Sequence, residues 1–119
     1  PNRRLVVEQK VALVTDPSEA RRLARMELNR YLTLPNYRNN WLRLGYTQDD
    51  VSGEGSDRFM DGMVAWGNED AINARIQEHL DAGADQVAIQ PIMDHALIEK
   101  GDITPILNSL EALAPEKAH

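Results

Sequence analysis

The chain has 119 residues, 42% of them hydrophobic and 27% charged, a balance that predicts one packed domain and excludes a disordered chain. It has no cysteine, which excludes disulfides, thiolate zinc sites and cysteine nucleophiles and fits a reducing, cytoplasmic setting. The net charge of −6 argues against general nucleic-acid binding, and no apolar run approaches the ~18–20 residues of a membrane span.

Charge is uneven along the chain. Residues 1–46 carry nine Lys/Arg and four Asp/Glu; residues 47–119 carry four and fifteen. Two solvated faces account for this, and a basic half turned to an anionic ligand is the alternative. The chain begins at Pro1 without a methionine, as expected of a processed chain or a piece of a longer one.

Residues 1–9 show no period and predict a surface connection. Lys10–Thr15 contains the apolar run Val11–Val14, which predicts a strand covered on both faces. Asp16 then stands at a helix cap, Pro17 at the first helical position and Glu19 three residues past the cap. The predicted helix runs to about Leu32 and buries Ala20, Leu23, Ala24, Leu28, Tyr31 and Leu32. Arg21, Arg22, Arg25 and Arg30 fall mostly off that stripe, on a solvated face or, alternatively, at an anion site.

Thr33 to Gly55 is the least regular stretch. Pro35 breaks the first helix. Asn39–Leu44 predicts a short helix ended by Gly45, and Thr47 with Asp50 resembles a capping box. Gly53 and Gly55 mark a loop. Ser56 caps a predicted helix over Asp57–Ala65 with Phe59, Met60, Met63 and Val64 on its apolar face.

Asn68 caps the next helix, whose face is Ala71, Ile72, Ile76 and Leu80, and Gly83 stops it. Val87–Ile89 is a second buried-type strand, ended by Pro91. A loop or short helix fills Ile92–Gly101. Asp102 caps a last helix with the stripe Ile103, Ile106, Leu107, Leu110 and Leu113, stopped by Pro115.

Two parallel strands joined by a right-handed crossover are therefore expected. Alone they leave both sheet edges open, so further strands must come from a longer chain or a second copy.

No phosphate loop, dinucleotide fingerprint, nucleophile elbow or H-E-x-x-H motif is present. His79, His95 and His119 lack metal-type spacing. The acidic pairs Asp49/Asp50 and Glu69/Asp70 sit at helix starts, where capping explains them. Asp94 and His95 follow the second strand at its carboxyl end, where parallel α/β folds bind ligands. Asn36, Tyr37, Asn39, Asn40, Trp41 and Arg43 combine amide, aromatic and guanidinium groups suited to a planar ring system, or asparagines that satisfy their own irregular backbone.

The segments TDPSEARRLAR, YLTLPNYRNNWLRLGY, GSDRFMDGMVAWGNEDAINARIQEHLDAGADQVAIQP and LNSLEALAP together resemble the C-terminal part of the bacterial luciferase-like oxidoreductases. The resemblance spans Leu5 to Pro115 and is nearest to a subfamily expected to use the deazaflavin coenzyme F420. It implies the end of a (β/α)8 TIM barrel, a single partial domain over 1–119. Lys10–Thr15 corresponds to strand seven, Gln86–Gln90 to strand eight, 33–66 to an inserted helical segment and Ile103–Ala114 to the closing helix. The activity implied is F420-dependent hydride transfer, or FMN-dependent oxidoreductase or monooxygenase chemistry, in a full-length parent.

The family's main cofactor and proton-transfer residues lie in earlier strands, so no catalytic residue carries over and no metal is implied. Thr15, Gln90, His95 and the Asn36–Arg43 segment would border the pocket, and the chain alone is expected to be inactive without bound cofactor. Its expected partners are the parent's small-molecule substrate and either the rest of the barrel or a second copy on its open edges, with no nucleic acid and no membrane. The alternative is a non-catalytic, helix-rich self-association module.

Overall fold

The computed structural model describes residues 4–113. The expected helix end at Ala114, the stop at Pro115 and the tail with His119 lie outside the described residues. The elements run β1 (Val6–Ala12), α1 (Pro17–Leu32), α2 (Pro35–Arg43), α3 (Asp57–Met63), β2 (Val64–Trp66), α4 (Glu69–Asp81), β3 (Gln86–Pro91), α5 (His95–Glu99) and α6 (Thr104–Ala112).

The three strands form one open parallel sheet in the order β2-β1-β3. The central strand pairs on one side from Lys10↔Val64 to Ala12↔Trp66 and on the other from Val6↔Gln86 to Val11↔Pro91. The expectation of two strands is thus corrected to three. Val64–Trp66, predicted to continue a helix to Ala65, is instead extended. Three residues carry no period of their own, so pairing with Lys10–Ala12 decides their state.

The first strand is also displaced from its expected span, Lys10–Thr15. It starts at Val6, because Val6–Gln9 pair with β3. It stops at Ala12, after which Val14 N–H donates to the Ala12 carbonyl at 2.9 Å and the chain turns toward the α1 cap. The segment between the two expected strands holds α2, α3 and β2.

Local capping chemistry places α1, α3 and α4 where the sequence predicts them, whereas the helix expected over Asn39–Leu44 already starts at Pro35, and α6 is capped by Ile103 rather than by the expected Asp102. Asp16 accepts from the Glu19 N–H at 3.3 Å, Ser56 from Phe59 at 3.0 Å and Asn68 from Ala71 at 2.9 Å. Gly83 closes α4 with φ 114°. Thr47 and Asp50 bond reciprocally: Asp50 accepts from the Thr47 N–H at 2.9 Å, and the Thr47 hydroxyl accepts from the Asp50 N–H at 3.2 Å. The pair holds a turn, without a following helix.

Strand alternation divides the interior in two. Ala12 and Val64 face α1, α2 and α3 in a core with Leu23, Leu28, Leu32, Trp41, Phe59 and Met60. Val11 and Ala65 face the other way, onto Ile72 of α4, with Ile76, Ile89 and Leu113 at its margin. Opposite faces follow from the strand order. The β1-to-β2 crossover and the β2-to-β3 crossover run in opposite directions, and crossovers of one hand then carry their helices to opposite sides. Consecutive barrel strands would instead lie in chain order with every helix on one face.

Two expected stripes are only partly covered. On α4, Ile72 is buried while Ala71 and Leu80 are exposed. On α6 and its leading residue, Ile103, Leu107 and Leu110 are 46, 55 and 44% exposed, and buried Ser109 takes the inner position. The helix is amphipathic, and its apolar side is covered only in part: Ile106 and Leu113 are half-buried, while Leu107 and Leu110 stay open among the described residues.

The larger core is centred on Phe59, which is fully buried with Trp41 at 4.7 Å and Tyr46 at 5.1 Å, both edge-on. Phe59→Ala is expected to cost roughly 3–5 kcal/mol in urea unfolding. Gly62 sits inside α3 because a Cβ there would overlap the Tyr46 hydroxyl. Gly62→Ala should therefore destabilise by about 1–3 kcal/mol, as overpacking does. Adding Tyr46→Phe removes the overlapping oxygen and leaves the ring Cζ at 3.1 Å. A double-mutant cycle should show that rescue, and additive losses would count against the Tyr46 contact.

Asp50 gives the fold an acid limit. It is buried, accepts from Thr47, from the Ser56 hydroxyl at 2.7 Å and from Arg58, and the Thr47 N–H above all holds its carboxyl down from the ordinary 3.8 to about 2. A depressed carboxylate stabilises the fold fully above its unfolded value and loses that stabilisation as pH falls through the folded one. Urea midpoints should therefore drop between about pH 4 and pH 2. Asp50→Asn should be less stable at neutral pH and show a flatter acid limb.

Candidate functional site

Two concavities flank the β1–β3 pair. The first is a cleft of about 280 Å3 on the α1 side of the sheet, lined by Glu8 and Lys10 of β1, Gln90 of β3, Leu28 and Tyr31 of α1, Tyr37, Asn40 and Trp41 of α2, and Met63. It exists because α1 crosses toward β2 and leaves this face of β3 partly uncovered. Lys10 and Gln90 are register partners, so their side chains emerge together.

Lys10 Nζ lies 3.3 Å from Gln90 Oε1 and 3.5 Å from the Glu27 carboxylate. Glu27 is the electrostatic centre of this wall. It is mostly buried and also meets Arg30 and His95 Nε2, each at 3.8 Å. The aromatic wall is continuous: Tyr31 and Tyr37 centroids are 5.0 Å apart, and Tyr37 and Trp41 are 6.0 Å apart. Tyr37 is the exposed member, and Trp41 is buried behind it. Floor and wall together offer an ammonium, two amides, two phenols and one ring open to solvent. That set suits a planar, hydrogen-bonding ligand.

The second concavity, about 300 Å3, lies at the carboxyl ends of β1 and β3. Its lining includes Leu13, Val14, Leu23, Ile92, Met93, Leu97 and Pro105, with Glu19, Asp94, Asn108 and Ser109 as polar groups. The loops after β1 and β3 diverge here, at the kind of switch point where open α/β sheets bind ligands. Arg22 clasps its mouth, donating to Glu19 at 2.7 Å and to Asp94 at 2.9 Å. The Ala96 N–H, then Arg22, hold the Asp94 carboxyl below its ordinary value; Arg22 does the same for Glu19. Asp94 is thereby the cap of α5, accepting from Ala96 at 2.8 Å.

The site residues expected from the sequence divide between these places. Tyr37, Asn40, Trp41 and Gln90 share the first cleft. Asn36, Asn39 and Arg43 are exposed on α2 and do not line it. His95 reaches its edge only through Glu27, and Thr15 is exposed in the loop between β1 and α1. Lys10 and Glu27 were missed. The sequence shows each as an isolated charge, and a lysine inside a predicted strand was the available signal.

The arginines of α1 are engaged with acids. Arg21 forks onto Asp61 at 3.0 and 2.8 Å, Arg25 meets Asp57 at 2.6 Å, and Arg30 meets Glu27. That compensation favours the solvated-face reading over an anion site. Among the described residues no group of three or more His, Asp or Glu could hold a metal, and no helix is long and apolar enough to cross a membrane.

No protein-family model, no curated protein and no solved structure matches this chain.

Trp41 gives the cleft a reporter. With Trp66→Phe as background, acrylamide should quench Trp41 weakly, because Tyr37 screens it. Tyr37→Ala should raise the quenching constant clearly. An unchanged constant would show that Tyr37 does not form the wall.

Proposed function

We propose that this chain is the C-terminal part of a cytoplasmic luciferase-like oxidoreductase whose full-length parent transfers a hydride with coenzyme F420, or uses FMN. In this reading the 119 residues are the closing portion of a (β/α)8 barrel and are inactive alone. One observation carries most of the weight: four family-like segments fall in family order along a chain that folds as a parallel sheet with two open edges. The shared cleft of Tyr37, Asn40, Trp41 and Gln90 supports it, since the resemblance implies that the Asn36–Arg43 segment and Gln90 border the pocket.

This chain's contribution is positioning. Tyr37 offers a ring face at the pocket rim. Asn40 and Gln90 offer amide donors and acceptors, and Lys10 a cation held in place by Glu27. The cofactor, when bound in the parent, supplies the redox chemistry. Closing a barrel also places a structural demand on the parent. There the parent's strand six must pair with the far side of β1, the place that β2 takes here.

The direct experiment titrates the full-length parent with F420 and with FMN, following absorbance and fluorescence. Saturable binding of one of them is expected, with neither binding the 119-residue chain. A folded parent that binds neither defeats the proposal. The second reading, a self-association module, draws on the uncovered side of α6 and the free edge of β3.

A further inference from the structure

The outer edge of β3 has no strand beyond it among the described residues. Natural edges are protected by charge, proline or shortness. The β2 edge is protected by its three residues. The β3 edge is six residues long, QVAIQP, with no charged side chain and its proline at the last position. Two helices pack on β3, the charged α4 and α6. Of these, α6 shares the character of the edge: within Thr104–Ala112 only Glu111 is charged, and Leu107 and Leu110 face solvent.

The geometry points to a second copy of this chain as the occupant of that edge, the two β3 strands pairing antiparallel about a two-fold axis at Ala88, with the α6 side covered by the same contact. Charge selects the place. Two chains of net −6 repel over most of their surfaces. The β3 edge carries no charge and α6 carries one, so like charges are fewest there. A two-fold contact uses one patch on both copies, so a self-complementary strand suffices.

Proline selects the register. Centring on Ala88 pairs Gln86–Gln90 with its copy and leaves Pro91, which has no N–H, outside the ladder. Centring on Ile89 would draw Pro91 into it. With the axis at Ala88, Val87 stands opposite Ile89 of the second copy. Their side chains lie on one face, continuing the apolar layer in which Ile89 already sits. The inference concerns the 119-residue chain itself and does not rest on the oxidoreductase reading, in which a strand of the parent takes this edge.

The chain has no cysteine, so one introduced thiol reports one place. Facing Cα atoms in an antiparallel pair are about 4.5–5.5 Å apart, within disulfide range. Sedimentation velocity of the intact chain should show a concentration-dependent dimer. Ala88→Cys should cross-link that dimer under mild oxidation, and Ser52→Cys, on an exposed turn, should not. Leu107→Glu, at a position already more than half exposed, should weaken the dimer at least about tenfold with an unchanged far-ultraviolet spectrum. If that variant unfolds, the Ala88→Cys cross-link decides alone. A monomer at all concentrations, or a dimer that Ala88→Cys fails to cross-link, overturns the inference.

Discussion

The architecture depends on β1 serving two neighbours and two faces at once. Its backbone pairs with β2 over three residues and with β3 over six, and its consecutive residues Val11 and Ala12 anchor different cores. A one-residue slip would exchange those faces, sending Val11 toward α1 and Lys10 toward α4. The register is therefore fixed by the burial it serves. Gln9 reinforces it with a side chain placed as a backbone group would be: its amide donates to the Met63 and Lys10 carbonyls and meets His79 at 2.8 Å. A buried amide satisfied on both ends tolerates no shift without leaving a donor unpaired.

What was readable in the sequence follows the range of the physics involved. Caps act over three residues, so Asp16, Ser56 and Asn68 announced their helices correctly, and Pro17 and Gly83 bounded two of them. Apolar periodicity gave the buried side of α1 except at Tyr31, which is only partly buried because it lines the first cleft. β2 was not readable, because three residues acquire strand geometry only from a partner 54 positions away. The first half of β1 failed for a related reason. Val6–Gln9 face partly to solvent, so no continuous apolar run marks them. The α6 stripe was read correctly as amphipathic, but a pattern states what a helix can bury and not whether a neighbour is there to cover it.

The first cleft shows the same division. Three of its aromatic and amide members, Tyr37, Asn40 and Trp41, cluster within five residues and stood out on composition alone. Its charged members come from β1 and α1, 17 positions apart, and only the fold makes Lys10 and Glu27 a pair. The strand order decides that the cleft exists at all. Because α1 leaves toward β2, β3 keeps one face partly open, and polar residues on alternate positions of β1 and β3 can line it without being entombed.

The brevity of β2 sets a hierarchy of opening. Three paired residues tie this strand to β1, while α3 and α4 on either side of it belong to different cores. Fluctuations that release β2 expose one edge of β1 yet leave the six-residue ladder with β3 intact. Amide exchange would then spread inward from Val64–Trp66, with Val11 among the last protected positions. A sheet that loosens from one side can admit a new strand there without first unfolding.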